Sequence, residues 1–280
     1  MTIRLDGRKL ADELQTALQK EVAASPFTPK LVVLLVGENP ASEIYVRNKK
    51  IAAEKVGFHS VIERFPQDIT EEVLLQRIQA LNEDETTDGI LVQLPLPKQM
   101  DEEKILLAID PKKDVDGFHP KNLGLLLAGK PEMIPATPFG IMSLLKAYEI
   151  PLAGKVAVVI GRSNIVGKPM AQLLLQEDAT VIMTHSKTSD LQKFTQMADI
   201  LIVAIGKGNF ITKDYVKPGA VVIDVGMNRK ADGKLTGDVD FQDVYEKVSY
   251  ITPVPKGVGP MTITSLLQQT FYAAKKRRGK

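Results

Sequence analysis

"KVAVVIGRSNIVGKPMAQLL", residues 155–174, decides the fold. A continuous apolar run ends in glycine, a polar turn follows, and an apolar-periodic segment starts near Pro169. A run that is apolar at every position fits a strand buried on both faces of a parallel sheet. Strand, glycine turn and helix in that order make a βα unit whose first helical N–H groups can receive phosphate. Gly161 allows the tight turn, and Gly167 allows close packing of helix on strand. Pro169 suits a first helical turn, where its missing N–H costs nothing. The dinucleotide fingerprint G-x-G-x-x-G is nonetheless incomplete. Ser163 stands in place of the second glycine, and Gly167 comes one position late. By itself the stretch is equally compatible with a plain βα turn.

The same grammar extends along the chain. "KLVVLLVG" (30–37), "SVIERF" (60–65), "GILVQLPLP" (89–97), "ATVIMTH" (179–185), "DILIVAIG" (199–206) and "KPGAVVIDVG" (217–226) read as strands. Between them, helical spacing covers 8–22, 41–57, 70–84, 101–109, 167–178 and 188–198, with a last helix starting near Pro260. Ser42 and Thr70 are the expected N-caps and Gly57 an expected C-cap. "PATPFGIMSLLKAYEI" (135–150) joins the two alternating series as a loop and a helix. The fold class is therefore α/β: two α/β domains flanking a cleft, the second a Rossmann-like dinucleotide-binding domain. The expected boundaries are 1–137 plus 262–280 for the first domain and 138–261 for the second. Ligands should lie beyond the carboxyl ends of the strands.

Composition narrows the chemistry. The 280 residues include no cysteine, which excludes disulfides, thiolate metal sites and cysteine nucleophiles. The three histidines, His59, His119 and His185, show no ligand spacing, so no metal is expected. A net charge of +2 makes no case for nucleic acid. "KKRRGK" (275–280) reads as a solvated helix end. The start, "MTIRLDGRKL", is too charged for a signal peptide, and no run is apolar enough for a membrane span. The expected location is the cytoplasm.

The strand after the glycine turn ends in "THSKT" (184–188). NAD sites usually place a carboxylate there for the ribose 2′-hydroxyl. Here His185, Ser186 and Lys187 suit a 2′-phosphate instead, with Arg162 in reach. This favours NADP, unless the segment is an ordinary polar loop.

"YVRNKK" places Tyr45 and Lys49 at i and i+4 on one helical face. Alone, this pair is a solvated face. Tyr-x-x-x-Lys also occurs in short-chain dehydrogenases, but there it follows the glycine turn, whereas here it precedes it. The pair is accompanied, in order, by "VQLPLP" (92–97), "KDVDGF" (113–118), "PATPFG" (135–140), "GRSNIVGKP" (161–169) and "PVPKGVGPMT" (253–262). With these motifs the chain resembles the bifunctional methylenetetrahydrofolate dehydrogenase/methenyltetrahydrofolate cyclohydrolase family over nearly its whole length.

The resemblance implies NADP-dependent oxidation of 5,10-methylenetetrahydrofolate to the 5,10-methenyl cation, then hydrolysis to 10-formyltetrahydrofolate. It implies Lys49 as the acid/base of hydrolysis, Tyr45 stacked on the folate, Gln93 orienting Lys49, and Asp116 anchoring the pterin. Val92 and Leu94 would line the substrate site, and Pro255, Gly257, Val258 and Gly259 would close over it. Gly161, Arg162, Ser163, Ser186 and Met227 would contact NADP. The family is generally homodimeric. Ala136 replaces the cysteine usual in "PCTP", which argues against a catalytic thiol. Rival readings are a shikimate-type NADP dehydrogenase, a non-catalytic NADP sensor, and a dehydrogenase with little cyclohydrolase activity.

Overall fold

The apolar run at 30–36 becomes a central strand because both its faces are covered. A computed structural model describes residues 1–230 and 232–279. Its elements, in chain order, begin with β1 (Ile3–Arg4), α1 (Gly7–Ala23), β2 (Lys30–Val36), α2 (Pro40–Lys55), β3 (His59–Phe65) and α3 (Glu71–Glu83). Then come β4 (Gly89–Val92), α4 (Glu102–Leu107), α5 (Pro120–Leu127), α6 (Ala136–Ala147), β5 (Val156–Ile160), α7 (Gly167–Gln176) and β6 (Thr180–Thr184). The remainder is α8 (Leu191–Thr195), β7 (Ile200–Val203), β8 (Val221–Asp224), β9 (Asn228–Arg229), β10 (Leu235–Thr236), α9 (Phe241–Val244), β11 (Tyr250–Ile251) and α10 (Val258–Arg277).

The chain divides into two units. One comprises Glu13–Ala136 and the segment from Ile263 onward; the other comprises Met1–Asp12 and Thr137–Thr262. The first holds a parallel three-stranded sheet in the order β3-β2-β4. On β2, Leu31, Val33 and Leu35 face one core with Leu18 and Val22 of α1, Val46 and Ala53 of α2, and Leu267 and Phe271 of α10. The alternate residues Val32, Leu34 and Val36 face a second core with Leu74 and Ile78 of α3 and Ile105 of α4. Each such side chain contributes roughly 1.5–3 kcal/mol on burial.

Helix ends follow local chemistry. Thr70 caps α3, its hydroxyl accepting from the Val73 N–H (3.4 Å). Ser42 is not the cap of α2. Asn39 is: its side chain accepts from the Ser42 N–H (3.2 Å), and Pro40 takes the first helical position. Gly57, at φ +90°, ends α2 with its N–H on Glu54 O and the Phe58 N–H on Ala53 O. No periodicity announces α5, which is set by Pro120 at its first turn and by the His119 side chain accepting from the Lys121 N–H.

The second unit holds an all-parallel six-stranded sheet in the order β1-β11-β8-β7-β5-β6, with a small β9–β10 hairpin. Residues 1–12 belong here and not with the first domain. The Ile3 N–H donates to Ser249 O and the Leu5 N–H to Ile251 O, and Arg4 lies 5.3 Å from the ring centroids of both Phe241 and Tyr245. A two-residue edge strand carries no periodic signal, so the sequence could not announce it.

The basic C-terminus is not simply solvated. Arg277 and Arg278 both bond the carboxylate of Asp88, which is fully buried, and Arg278 stacks 4.7 Å from the Phe27 centroid. Lys280 lies outside the described residues. Asp88→Ala should cost about 1–3 kcal/mol, since the two guanidiniums are only partly buried. Urea unfolding checks this, and an unchanged midpoint would show that the clamp carries no stability.

Candidate functional site

Within the three-stranded unit, α2 carries Tyr45 and Lys49 one turn apart. Lys49 is buried, with 6% exposure. Its Nζ donates to Gln93 Oε1 at 3.1 Å. Gln93 follows directly after β4. Its backbone N–H donates to Leu34 O (2.9 Å) and its Nε2 to Leu94 O (2.7 Å). With Nε2 so engaged, the amide oxygen is the end left facing the lysine. Burial pushes the Lys49 pKa down, and the charge of Asp116 opposes that. Burial pushes the Tyr45 phenol up.

The motif "DVDG" divides its labour. Asp114 is buried and accepts from the Gly117 and His119 N–H groups and from Asn122 Nδ2, so it is structural. The Asp116 carboxylate has no hydrogen bond among the described residues. Burial pushes it up, the Lys49 charge pulls it down, and Asp114 adds to the rise. Lys49, Gln93 and Asp116 are therefore brought together. The Val92 side chain is 2% exposed and lies in the core beside Leu34, with the partly buried Leu94 against the same cluster.

Sequence reading overlooks what aims Asp116. The Gly117 backbone sits at φ +75°, and an added Cβ would lie 2.5 Å from Ile134 C. The Ala136 N–H donates to Asp116 O (3.2 Å), so this position serves through its backbone, its side chain being in the core. Buried Gln269 on α10 ties the two segments together. Its Nε2 donates to Val115 O (3.0 Å) and Ile134 O (2.7 Å), and its Oε1 accepts from the Ile134 N–H (2.6 Å). Lys113, fully buried, donates to the carbonyls of Leu81, Asn82 and Asp84.

In the six-stranded unit the glycine turn is as tight as its sequence demands. An added Cβ at Gly161 (φ +129°) would lie 2.4 Å from Ala204 O, and one at Gly167 would lie 2.3 Å from Gly161 O. Ser163 Oγ accepts from the N–H groups of Val166 (3.2 Å) and Gly167 (3.3 Å), so the serine in place of glycine holds the turn that enters α7. Arg162 is exposed and makes no ion pair among the described residues. After β6, the His185 N–H donates to Thr188 Oγ1 and the Lys187 N–H to His185 Nδ1, which leaves Ser186 and Lys187 exposed. His185 is thus a turn former. Met227 follows β8 and is 39% exposed. Pro255, Gly257, Val258 and Gly259 also belong to this unit. An added Cβ at Gly7 would lie 1.9 Å from Gly257 O, so α1 starts against that loop.

The first group offers an amine of lowered proton affinity beside an amide and a carboxylate, which is equipment for proton exchange. The second offers a glycine turn too tight for a Cβ at a helix start, with the exposed Arg162 cation beside it, which suits a phosphate. No three His, Asp or Glu side chains converge as metal ligands among the described residues.

Comparison with known proteins follows this division. Residues 5–116 match the tetrahydrofolate dehydrogenase/cyclohydrolase catalytic domain, and residues 135–278 match the NAD(P)-binding domain of the same name. The bifunctional protein FolD of Enterococcus faecalis is 64% identical over 99% of this chain and 100% of its own. The crystal structure of the bifunctional FolD of Campylobacter jejuni superposes with TM-score 0.96 at 49% identity, over 99% of this chain and 100% of that one. The Trypanosoma brucei enzyme, complexed with NADP cofactor and inhibitor, gives 0.94 at 37% identity, over 98% of both chains.

Gln269→Leu should destabilise the protein by about 2–4 kcal/mol, because it strands buried groups of Val115 and Ile134. Thermal unfolding beside Gln268→Leu checks this, and equal effects of the two would remove the special role of Gln269.

Proposed function

This chain belongs to the tetrahydrofolate dehydrogenase/cyclohydrolase family, and from that premise we propose that Lys49, Gln93, Tyr45 and Asp116 carry its folate chemistry while the turn at Gly161 takes NADP. The enzyme oxidises 5,10-methylenetetrahydrofolate to the 5,10-methenyl cation and hydrolyses that cation to 10-formyltetrahydrofolate. The observation that carries the residue assignment is the buried Lys49 ammonium on Gln93, with the unpaired Asp116 carboxylate near it.

Oxidation moves a hydride from the methylene carbon and needs no proton transfer, because the product cation is delocalised. NADP, when bound, supplies the acceptor for that hydride. The residues fit it: the cradle between Gly161 and Gly167 has no room for a Cβ, and α7 begins there with exposed Arg162 beside it. Exposed Ser186 and Lys187, with no carboxylate in their turn, favour the 2′-phosphate over a bare ribose. Positioning of the substrate by Tyr45 and Asp116 then does most of the catalytic work.

Hydrolysis does need proton traffic. Water adds to the cationic carbon and releases one proton; the hydroxyl adduct then loses its remaining proton as the bond to one ring nitrogen breaks, and that nitrogen takes up a proton. The net yield is the formyl product and one proton. Neutral Lys49 receives the hydroxyl proton and can return it to the nitrogen. Gln93 holds the amine in line, and Asp116 keeps its proton affinity from falling too far.

The family resemblance further supports a homodimer working in the cytoplasm. No helix among the described residues is long and apolar enough to cross a membrane.

Lys49→Ala and Lys49→Arg should both lose methenyl hydrolysis by about 10²–10⁴-fold, since a guanidinium does not give up its proton. In the unmutated enzyme the hydrolysis rate should rise with pH through a pKa below the ordinary lysine value, because the neutral amine is the active form and burial lowers its pKa. Direct assay of methenyltetrahydrofolate hydrolysis decides both, and a competent Lys49→Arg would refute the role. Arg162→Ala should raise KM for NADP about tenfold and leave KM for NAD nearly unchanged. Equal loss with both cofactors would place Arg162 outside 2′-phosphate recognition.

A further inference from the structure

Two buried acids in the six-stranded unit take no part in the chemistry above. Asp224 ends β8 and is 3% exposed; Asp238, just after β10, is 0% exposed. Neither pairs with a lysine or arginine among the described residues. Their bonds all go to loop backbone and to one amide. Asp224 Oδ1 accepts from the N–H groups of Gly226 and Asp238, and Oδ2 from Val239. Asp238 Oδ2 accepts from the N–H groups of Ile205 (2.8 Å) and Gly206 (2.9 Å), and Oδ1 accepts from Asn228 Nδ2 (2.9 Å).

Each acid sits on a glycine beside its partner. An added Cβ at Gly226 would lie 2.3 Å from Asp238 Cγ, and one at Gly237 would lie 1.8 Å from Asp224 Oδ2. Burial and the neighbouring Asp238 push Asp224 up to about 7, against the pull of its backbone bonds. Two carboxylates buried together without a cation are costly. An apolar pair would pack there at less cost but could not hold backbone N–H groups.

What they hold lies at the carboxyl ends of the sheet. Ile205 and Gly206 follow β7. Ala204, just before them, is the residue whose carbonyl the Gly161 turn approaches. The same loop is tied further along, with the Asn209 N–H on Gly237 O and the Ile211 N–H on Asp238 O. Asn228 opens β9, directly after Met227 of the loop that follows β8. Asp238 therefore joins the loops after β7 and β8, and through Ala204 it reaches the glycine turn after β5.

We propose that Asp238, seated on Asp224, is a positioning residue for the dehydrogenase: its carboxylate fixes the loops after β7 and β8 against the glycine turn that takes NADP. The proposal rests on the assignment of NADP to that turn, which the Arg162→Ala comparison of NADP with NAD tests separately. Hydrolysis of methenyltetrahydrofolate needs no cofactor and serves as an internal control on folding.

Asp238→Ala should raise KM for NADP about tenfold or more and leave methenyl hydrolysis within about twofold of normal. Asp238→Asn keeps an oxygen for Ile205 and Gly206 and should stay near the unmutated KM for NADP. An unchanged KM in Asp238→Ala would overturn the proposal. So would equal loss of both activities, or an Asp238→Asn enzyme as impaired as the alanine variant. Should Asp238→Ala fail to fold, amide exchange in the unmutated protein decides: Ile205 and Gly206 should exchange as slowly as strand amides, and rapid exchange would overturn the proposal.

Discussion

An ammonium group taken out of water has to be compensated, and the three-stranded unit is organised around one that is only partly compensated. Two lysines among the described residues of this unit are buried. Lys113 gives its Nζ protons to the carbonyls of Leu81, Asn82 and Asp84, and so closes the C-terminal end of α3. It has nothing left to offer a ligand. Lys49 donates to Gln93 Oε1 and otherwise feels the nearby charge of Asp116. The fold tolerates this because α2 is locked into one of the two cores on β2 and β4 into both. An incompletely satisfied buried group is expensive for stability and useful for chemistry.

The aspartates repeat the contrast. Asp114 spends both oxygens on Gly117, His119 and Asn122 and shapes the loop, while Asp116, two residues later, keeps its carboxylate free of hydrogen bonds among the described residues. In the six-stranded unit, Asp224 and Asp238 are also fully engaged, and their engagement is with loops. Backbone N–H groups outside strands need acceptors when buried. Carboxylates supply several in one place, which lets a few residues set three loops at once.

Much of this was legible in the residues. Continuous apolar runs predict doubly buried parallel strands, and β2 is one because alternate residues enter different cores. Thr70 and Gly57 mark helix ends by local hydrogen bonding and by positive φ, and both signals are short-range. The spacing of Tyr45 and Lys49 gives a shared helical face. Ser42 misled because Asn39 and Pro40 offer a better start three residues earlier. Ser163 reads as a missing glycine until its hydroxyl is seen to accept from Val166 and Gly167. Arg277 and Arg278 read as a solvated end because Asp88, their partner, is nearly 190 positions away.

What the sequence determines by itself is the alternation of strand and helix, the glycine-tight turn at Gly161, the absence of cysteine chemistry, and the residue types able to exchange a proton. These are properties of neighbouring positions, carried by periodicity and by the conformational limits of glycine and proline. Only the tertiary structure decides that Met1–Asp12 joins the six-stranded unit, that Gln269 ties Val115 to Ile134, that Asp114 and not Asp116 is engaged by the loop, and that Asp238 joins the segments after β7 and β8. Those outcomes depend on hydrogen bonds between segments remote in sequence. Their partners are chosen by which backbone groups burial has deprived of water, and no local pattern records that choice.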